Sequence, residues 1–404
     1  MNTDPISRAY VRLAFHIDRH VLGFIDAYFG PPEWKAEAEA EGLIAPGDLR
    51  RDAQTLLGEI AAIGEELRRE WLTKQVTAML AVLRRLEGEK LPLEEELRLV
   101  YDIHPEWTDE RIFDDALRVI HDLLPGAEPL ADRLEAWNAG FNVPSERLLP
   151  LLTACRDEAQ RRTRRMFTLP EGEEVALQIV EGQPWAAYNW YLGDYRSRVE
   201  VNTDLPVRAN SMLGLMTHEG YPGHHTEHAI KEQLLYRRQG HAEACVQLIN
   251  GPECVISEGL ADLARDVIFT EPELVAWLSD EFYPLAGIAV DIKRDRAIAH
   301  ALRELRPVSG NAAFLLHRDG AGEETVVDYI RRYGADTEEQ ARQLYRFISN
   351  PLFGSYIFNY HYGRDLLARY IQTGEPVARF RTLLEQPLTP SRVEQWMGEA
   401  APTG

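Results

Sequence analysis

Cysteine is scarce in this chain: three thiols in 404 residues, Cys155, Cys245 and Cys254, an odd number in no metal-type spacing. That argues against a disulfide framework and against a cysteine-built zinc cluster, and it fits a reducing compartment. Cys245 and Cys254 would pair only if the segment between them folded back, so free thiols are expected. Long apolar runs are missing as well. No stretch of about 18 apolar residues occurs, so no membrane span is expected, and the start of the chain lacks the basic and apolar blocks of a signal peptide. Positive charge is in deficit, with 44 Lys and Arg against 65 Asp and Glu and a formal net charge of −21. This disfavours non-specific association with nucleic acid or an anionic membrane. The one basic run, Arg161-Arg162-Thr163-Arg164-Arg165, reads as the last turns of a helix, where cations suit the dipole. A cytoplasmic protein is expected, with no nucleic-acid or membrane partner. The sequence does not specify an oligomeric state.

What is present is more specific. Residues 218 to 225 read His-Glu-Gly-Tyr-Pro-Gly-His-His, and Ile256-Ser257-Glu258-Gly259-Leu260-Ala261-Asp262 follows on the next expected helix. Two neutral imidazoles and a carboxylate can hold one zinc ion and leave a position open for water, and a Glu beside the first His can take the proton of that water. The usual spacing puts two His at i and i+4 on one helix face. Here i+4 from His218 is Pro222, and on a regular helix His224 at i+6 points about 120° away. The helix must therefore break. Pro222 cannot bond the His218 carbonyl, and Gly220 and Gly223 open backbone angles closed to other residues. Tyr221-Pro222-Gly223 reads as a bulge carrying two extra residues, which brings His224 back as the second ligand, with His225 as the fallback. Glu258 is the expected third ligand and Glu219 the general base. Asp262, one turn after Glu258, is placed to accept the second ring N–H of a metal-bound His.

The His-Glu-x-x-Pro-Gly-His-His and Glu-Gly-x-Ala elements resemble a bacterial family of gluzincin-like zinc peptidases long labelled a domain of unknown function, similar to the helical thimet-type oligopeptidases and thermostable carboxypeptidases. Asp26 to Trp34 and Tyr360-His361-Tyr362-Gly363 look like outer elements of the same family. The resemblance implies a mostly helical metallopeptidase with one Zn2+ on His218, His224 and Glu258, Glu219 as base and short peptides as substrate. It also makes Tyr360, at the head of a Tyr-x-x-Gly element, the first choice for donating to the oxyanion; Tyr356, His361 and Arg364 are the runners-up in the same donor-rich segment. His317-Arg318-Asp319 and Arg294/Arg296 are further options for a substrate carboxylate. Two rival readings use the same residues: a metal-dependent hydrolase of a non-peptide amide or ester, and a helical scaffold with a non-catalytic zinc site.

The expected fold is mainly α, a multi-helix, two-lobed, metallopeptidase-like arrangement with a small antiparallel sheet beside the active-site helix. Tyr10, Leu13, Ile17, Val21, Phe24 and Tyr28 recur at helical spacing, so residues 6–29 read as one helix ended by Gly30-Pro31-Pro32. Residues 1–168 are taken as an N-terminal helical lobe and 169–404 as a catalytic lobe, or the whole as one continuous domain. Within the second part, alternation in Val175, Leu177 and Ile179 and in Arg198 to Asn202 marks a sheet over 174–203. Zinc helices occupy 210–269, with Asn210 or Ser211 as N-cap and a helix over 241–250. C-terminal helices follow over 272–385, including 352–372. Fraying is expected over 400–404.

Overall fold

The computed structural model describes residues 4–183, 185–351 and 354–400. The first two residues of the helix expected over 352–372, and the fraying expected from 401 on, lie outside them. The chain is mainly helical, with one two-stranded and one three-stranded sheet. Eight helices frame the main cores and the candidate site: α1 (Pro5–Asp18), α2 (Pro46–Ile60), α3 (Glu66–Leu86), α4 (Ser145–Met166), α5 (Ala209–Glu219), α6 (His224–Lys231), α7 (Pro252–Ile268) and α8 (Phe358–Ile371). The strands are β1 (Ile25–Tyr28), β2 (Glu174–Val180), β3 (Ala187–Gly193), β4 (Arg196–Asn202) and β5 (Val246–Leu248).

Apolar periodicity explains the helices. In α2, Leu49, Ala53, Leu56 and Ile60 form a buried stripe at helical spacing. It meets Tyr10, Leu13 and Ile17 of α1, Trp71, Val76 and Met79 of α3, and Val246 and Leu248 of β5 in one core. Each large apolar side chain withdrawn from water there contributes about 1.5–3 kcal/mol. A second core joins Leu148, Leu151 and Leu152 of α4 to Met212 and Met216 of α5 and to Val199 and Val201 of β4. All five cores combine residues from before and after position 168.

Several elements differ from expectation. The helix read over 6–29 stops at Asp18, and Ile25–Tyr28 is a strand paired antiparallel with β5. Gly23 takes a positive φ, and the Asp18 carboxylate accepts the Ile25 N–H at 3.0 Å, so the chain turns out of the helix. The apolar spacing continues through the turn because Phe24 enters the same core as α1. The helix expected over 241–250 is a short 3₁₀ turn, Ala242–Cys245, followed by β5. In the three-stranded sheet, β3 and β4 form an antiparallel hairpin, as expected, but β2 lies on the other edge of β4 and runs parallel to it. The sheet is mixed because the chain crosses from one edge to the other between β2 and β3. The N-cap of α5 is Arg208, without a side-chain cap, and Ser211 Oγ instead donates back to the Arg208 carbonyl at 2.8 Å. All three cysteines are free. No helix among the described residues is long and apolar enough to cross a membrane.

Candidate metal centre

The break after α5 carries the site. The helix ends at Gly220, whose N–H still bonds the Met216 carbonyl. Tyr221 N–H reaches the same carbonyl at 3.2 Å, and two later bonds are longer in sequence still: Gly223 N–H to Thr217 O at 3.0 Å and Thr226 N–H to Gly220 O at 3.3 Å. Each spans six residues where an α-helical bond spans four, so the loop at Tyr221 and Pro222 holds two additional residues before α6 begins at His224. Gly223 lies directly on the end of α5. A β-carbon there would stand 1.9 Å from the His218 carbonyl oxygen, so no other residue fits.

α7 supplies the third group. It packs against α8 with backbone touching backbone: a β-carbon on Gly259 would lie 2.6 Å from the Gly363 carbonyl, and one on Gly363 would lie 2.4 Å from the Val255 carbonyl. This close crossing sets Glu258 beside Tyr356 and Tyr360. Tyr356 donates to Glu258 Oε1 at 2.7 Å, and its ring stands edge-on to Tyr360 with centroids 5.4 Å apart.

His218, His224 and Glu258 converge, each with one donor atom within 4.8 Å of the others. His218 Nε2 is 3.5 Å from Glu258 Oε2, and His224 Nε2 is 3.9 Å from Glu258 Oε1. Both imidazoles are held from behind. His218 Nδ1 faces Asp262 Oδ1 at 3.3 Å, and Asp262 is itself paired with Arg306 at 2.7 Å. His224 Nδ1 lies 3.1 Å from Ser257 Oγ. The Ser257 hydroxyl donates to Glu227 at 2.5 Å, so its oxygen accepts from His224 Nδ1–H. Both Nδ1 atoms therefore carry the proton, and both Nε2 lone pairs turn toward Glu258.

This donor set fits a divalent ion such as zinc. Glu258 Oε2 is buried and has no hydrogen-bond partner, an expensive state for a carboxylate oxygen unless a cation completes it. Ligands on a tetrahedral zinc stand roughly 3.3 Å apart, given bonds of about 2.0–2.1 Å, close to the His218–Glu258 separation. Burial and neighbouring charge set how each group titrates, and His218 by itself is biased toward the charged form that a metal must displace. Burial pushes Glu258 up to about 7, with His218 and Tyr356 opposing the rise. Burial would lower His218, but Asp262, Glu219 and Glu258 outweigh it and raise it to about 9. Burial drives His224 well down, toward the neutral form a metal needs.

The three residues open into a cavity of about 480 Å³ shared with Glu219 and Tyr360. Glu219 is buried, and its carboxyl sits above its ordinary range, through burial first and the nearby Asp26 second, with His218 opposing. Asn189 Nδ2 donates to the Glu219 carbonyl and ties the end of α5 to β3.

The other expected site residues lie elsewhere. His225 turns to the far side of α6, with Nδ1 on Ser197 Oγ at 2.8 Å and Nε2 on Glu173 at 3.0 Å, so both ring nitrogens are engaged away from Glu258. Arg364 pairs with Asp266 at 3.0 Å. His361 packs on Gly310 and Phe358, behind His218. His317 bonds the Ile348 carbonyl, Arg296 pairs with Glu271, Arg318 pairs with Asp319, and Arg294 bonds the Leu123 carbonyl. None of these lines the cavity. Two residues that do, and that sequence reasoning passed over, are His228 and Asp26. The His228 ring stacks on His224 at 6.0 Å. Its place one turn after His224 was a visible signal. Asp26 was hidden in a segment read as helix.

No family model matches this chain, and no curated protein matches it. Among solved structures, it is similar to a chain from Colwellia psychrerythraea described as a candidate lipoprotein, with a TM-score of 0.55 and 16% identity over 87% of this chain and 66% of that one. A second similarity is to a candidate lipoprotein of unknown function from Shewanella oneidensis, with a TM-score of 0.49 and 13% identity over 90% and 76% of the two chains. The Colwellia likeness is one of fold, and this chain spans just under two thirds of that neighbour's length. No family model matches and the Colwellia neighbour is not described as a peptidase, so the resemblance to the gluzincin-like peptidase family does not stand. The reason is chemical: His, Glu and Gly at short spacings are what a metal and a helix break require on any fold, and such elements recur without kinship.

Proposed function

We propose that the protein is a metal-dependent hydrolase of peptide amides, with His218, His224 and Glu258 holding one zinc ion and Glu219 acting as general base. The observation that carries this reading is the buried, unpartnered Glu258 Oε2 facing His218 Nε2 at 3.5 Å in a cavity that Glu219 also enters. A structural zinc site is normally closed by four protein ligands; three ligands beside a cavity and a carboxylate that ligates nothing suit catalysis. Bound zinc would acidify a water and polarise a substrate carbonyl.

The chain's own groups do the rest. Glu219 removes a proton from the attacking water and delivers it to the departing amine. Its raised pKa lets the same carboxylate both accept and return that proton. Tyr356 is committed to Glu258, which leaves Tyr360 to donate to the oxygen on which charge develops. β3 is the outer strand of its sheet, and Ala187, Tyr188 and Asn189 line the cavity. An extended peptide can lie along such an edge as an added strand, and this favours a peptide over a compact amide or ester.

The test is metal analysis together with digestion of a peptide library by the native protein and by Glu219→Gln. Near-stoichiometric zinc in both, with turnover reduced about 10²–10⁴-fold in the variant, is the expected result. Equal turnover in the two proteins, or no zinc after reconstitution, overturns the proposal.

A further inference from the structure

The cavity has a one-sided charge. Asp26, Glu219, Glu253 and Glu258 line it, and no lysine or arginine does among the described residues. The four carboxylates are not equivalent. Glu253 is ion-paired with Lys231 at 2.9 Å. Glu258 and Glu219 have the roles proposed above. Asp26 has none of these, and no lysine, arginine or histidine forms an ion pair with it among the described residues. One of its oxygens takes the Tyr188 hydroxyl, and the carboxyl lines the cavity. Its carboxyl is held above the ordinary range by burial, with the Tyr188 bond opposing. A carboxyl kept in a cavity without a countercharge is driven toward its neutral form unless the countercharge arrives with a ligand.

Aromatic rings flank the same point. Tyr188 stands 5.2 Å from Trp185 and 4.7 Å from Trp190, centroid to centroid. Trp185 and Tyr188 line the cavity, while Trp190 lies outside the lining. Rings beside a carboxylate attract a cation through their faces as well as through the charge. The position relative to the base is also set. Tyr188, which holds Asp26, and Asn189, which holds the Glu219 carbonyl, are consecutive residues of β3, and Asp26 is near enough to Glu219 to raise its carboxyl.

We infer that Asp26 is the specificity-determining residue of this cavity, receiving a cationic amine of the substrate against the Tyr188 and Trp185 rings. Taken with the hydrolase reading, on which its meaning rests, this directs cleavage to peptides carrying a free amino terminus or a basic side chain beside the scissile bond. Away from the histidines and their metal, it disfavours anchoring through a C-terminal carboxylate, because no lysine or arginine lines the cavity among the described residues. The amine chemistry is shared by the two sources, and the probes separate them.

Binding is measured by calorimetry on chelator-treated protein with three peptides. Trialanine amide carries only the terminal amine, N-acetyl-Ala-Lys-Ala amide only a basic side chain, and N-acetyl-trialanine only a carboxylate. One of the two cationic peptides is expected to bind roughly 10- to 100-fold more tightly than N-acetyl-trialanine, and which one does so identifies the source. Asp26→Asn, with its fold checked by circular dichroism, is expected to erase the difference. Equal or tighter binding of N-acetyl-trialanine, or a preference that survives in Asp26→Asn, overturns the inference. Should the variant fail to fold, the preference of the native protein decides alone. Incubating the zinc-loaded protein with the same peptides tests hydrolysis separately: no product alongside an intact amine preference removes the hydrolase reading and keeps the amine site.

Discussion

His224 and His225 are neighbours in sequence and open onto two different regions. On the cavity side, His224 turns its Nε2 toward Glu258, whose Oε2 has no partner. On the sheet side, His225 is bonded at both nitrogens, and Glu173 takes His225, Tyr221 and Arg164 together. Just behind His224 the pattern is again complete: Lys231 bridges buried Glu227 at 2.7 Å and Glu253, at the cavity wall, at 2.9 Å. Among the described residues, the buried ion pairs that join elements here are complete, whereas Glu258 Oε2 at the cavity has no hydrogen bond. The open oxygen at Glu258 therefore reads as a place left for a ligand. The same burial without a ligand would be a pure cost.

The largest expected effect lies on the closed side. Lys231→Met leaves buried Glu227 facing Glu253 with no cation between them. Removing one partner of a buried ionic group costs about 3–5 kcal/mol, read as a lower midpoint in urea denaturation. Adding Glu227→Gln to the same variant is expected to recover a large part of that loss. A single variant as stable as the native protein would mean that the network is open to water and that the contrast between the two sides is false.

Much of the open side was legible in the sequence, and much of the closed side was not. Pro222 and Gly223 announced a broken helix, and two surplus residues between His218 and His224 could be counted, because a missing N–H and a missing β-carbon act locally. Glu258 followed from its pairing with the His-Glu element, and Asp262 from helical spacing after it. Asp26 was missed because a turn and a short strand that continue the apolar spacing of α1 look like more helix. The role of Lys231 could not be read, since Glu253 meets it only after α7 folds onto α6. The parallel pairing of β2 with β4 was equally invisible, because alternation marks a strand without naming its neighbour. The Tyr-x-x-Gly element was noticed for its Tyr, yet Gly363 does more to place the site, through its backbone contact with Gly259.

A second prediction concerns acid. Burial would raise the Glu173 carboxyl, but bonds from His225, Tyr221 and Arg164 hold it down to about 2, below its ordinary 4.5. A carboxylate depressed by folding adds stability that is fully present above its unfolded pKa and is lost as pH falls through the folded one. The contribution, on the order of 3 kcal/mol, is therefore present above about pH 5 and fades toward pH 2. Buried His225, lowered by burial, acts in the same direction, because unfolding lets it take up a proton. Glu173→Gln is expected to lower stability at pH 7 and to flatten the decline between pH 5 and 2, while zinc content at pH 7 stays unchanged. Loss of zinc in this variant would mean that the sheet side and the cavity side are one site.

The smallest expected effect is the most discriminating. Asp262 touches no substrate; it accepts His218 Nδ1–H and is itself held by Arg306. Such a carboxylate behind a metal-bound imidazole fixes the ring and increases its basicity, and its loss lowers metal affinity about 10- to 100-fold. Asp262→Asn keeps the shape and can still accept a hydrogen bond, so the fold is expected to persist while zinc competes less well against a chelator of known affinity. Asp262 and Glu173 both accept a ring N–H from a histidine, one behind the cavity and one under the sheet. If the two regions differ as argued, only Asp262→Asn moves the zinc affinity and only Glu173→Gln moves the acid limb of stability. A zinc affinity unchanged in Asp262→Asn would mean that His218 does not meet a metal through Nε2, and Glu258 Oε2 would then need another partner.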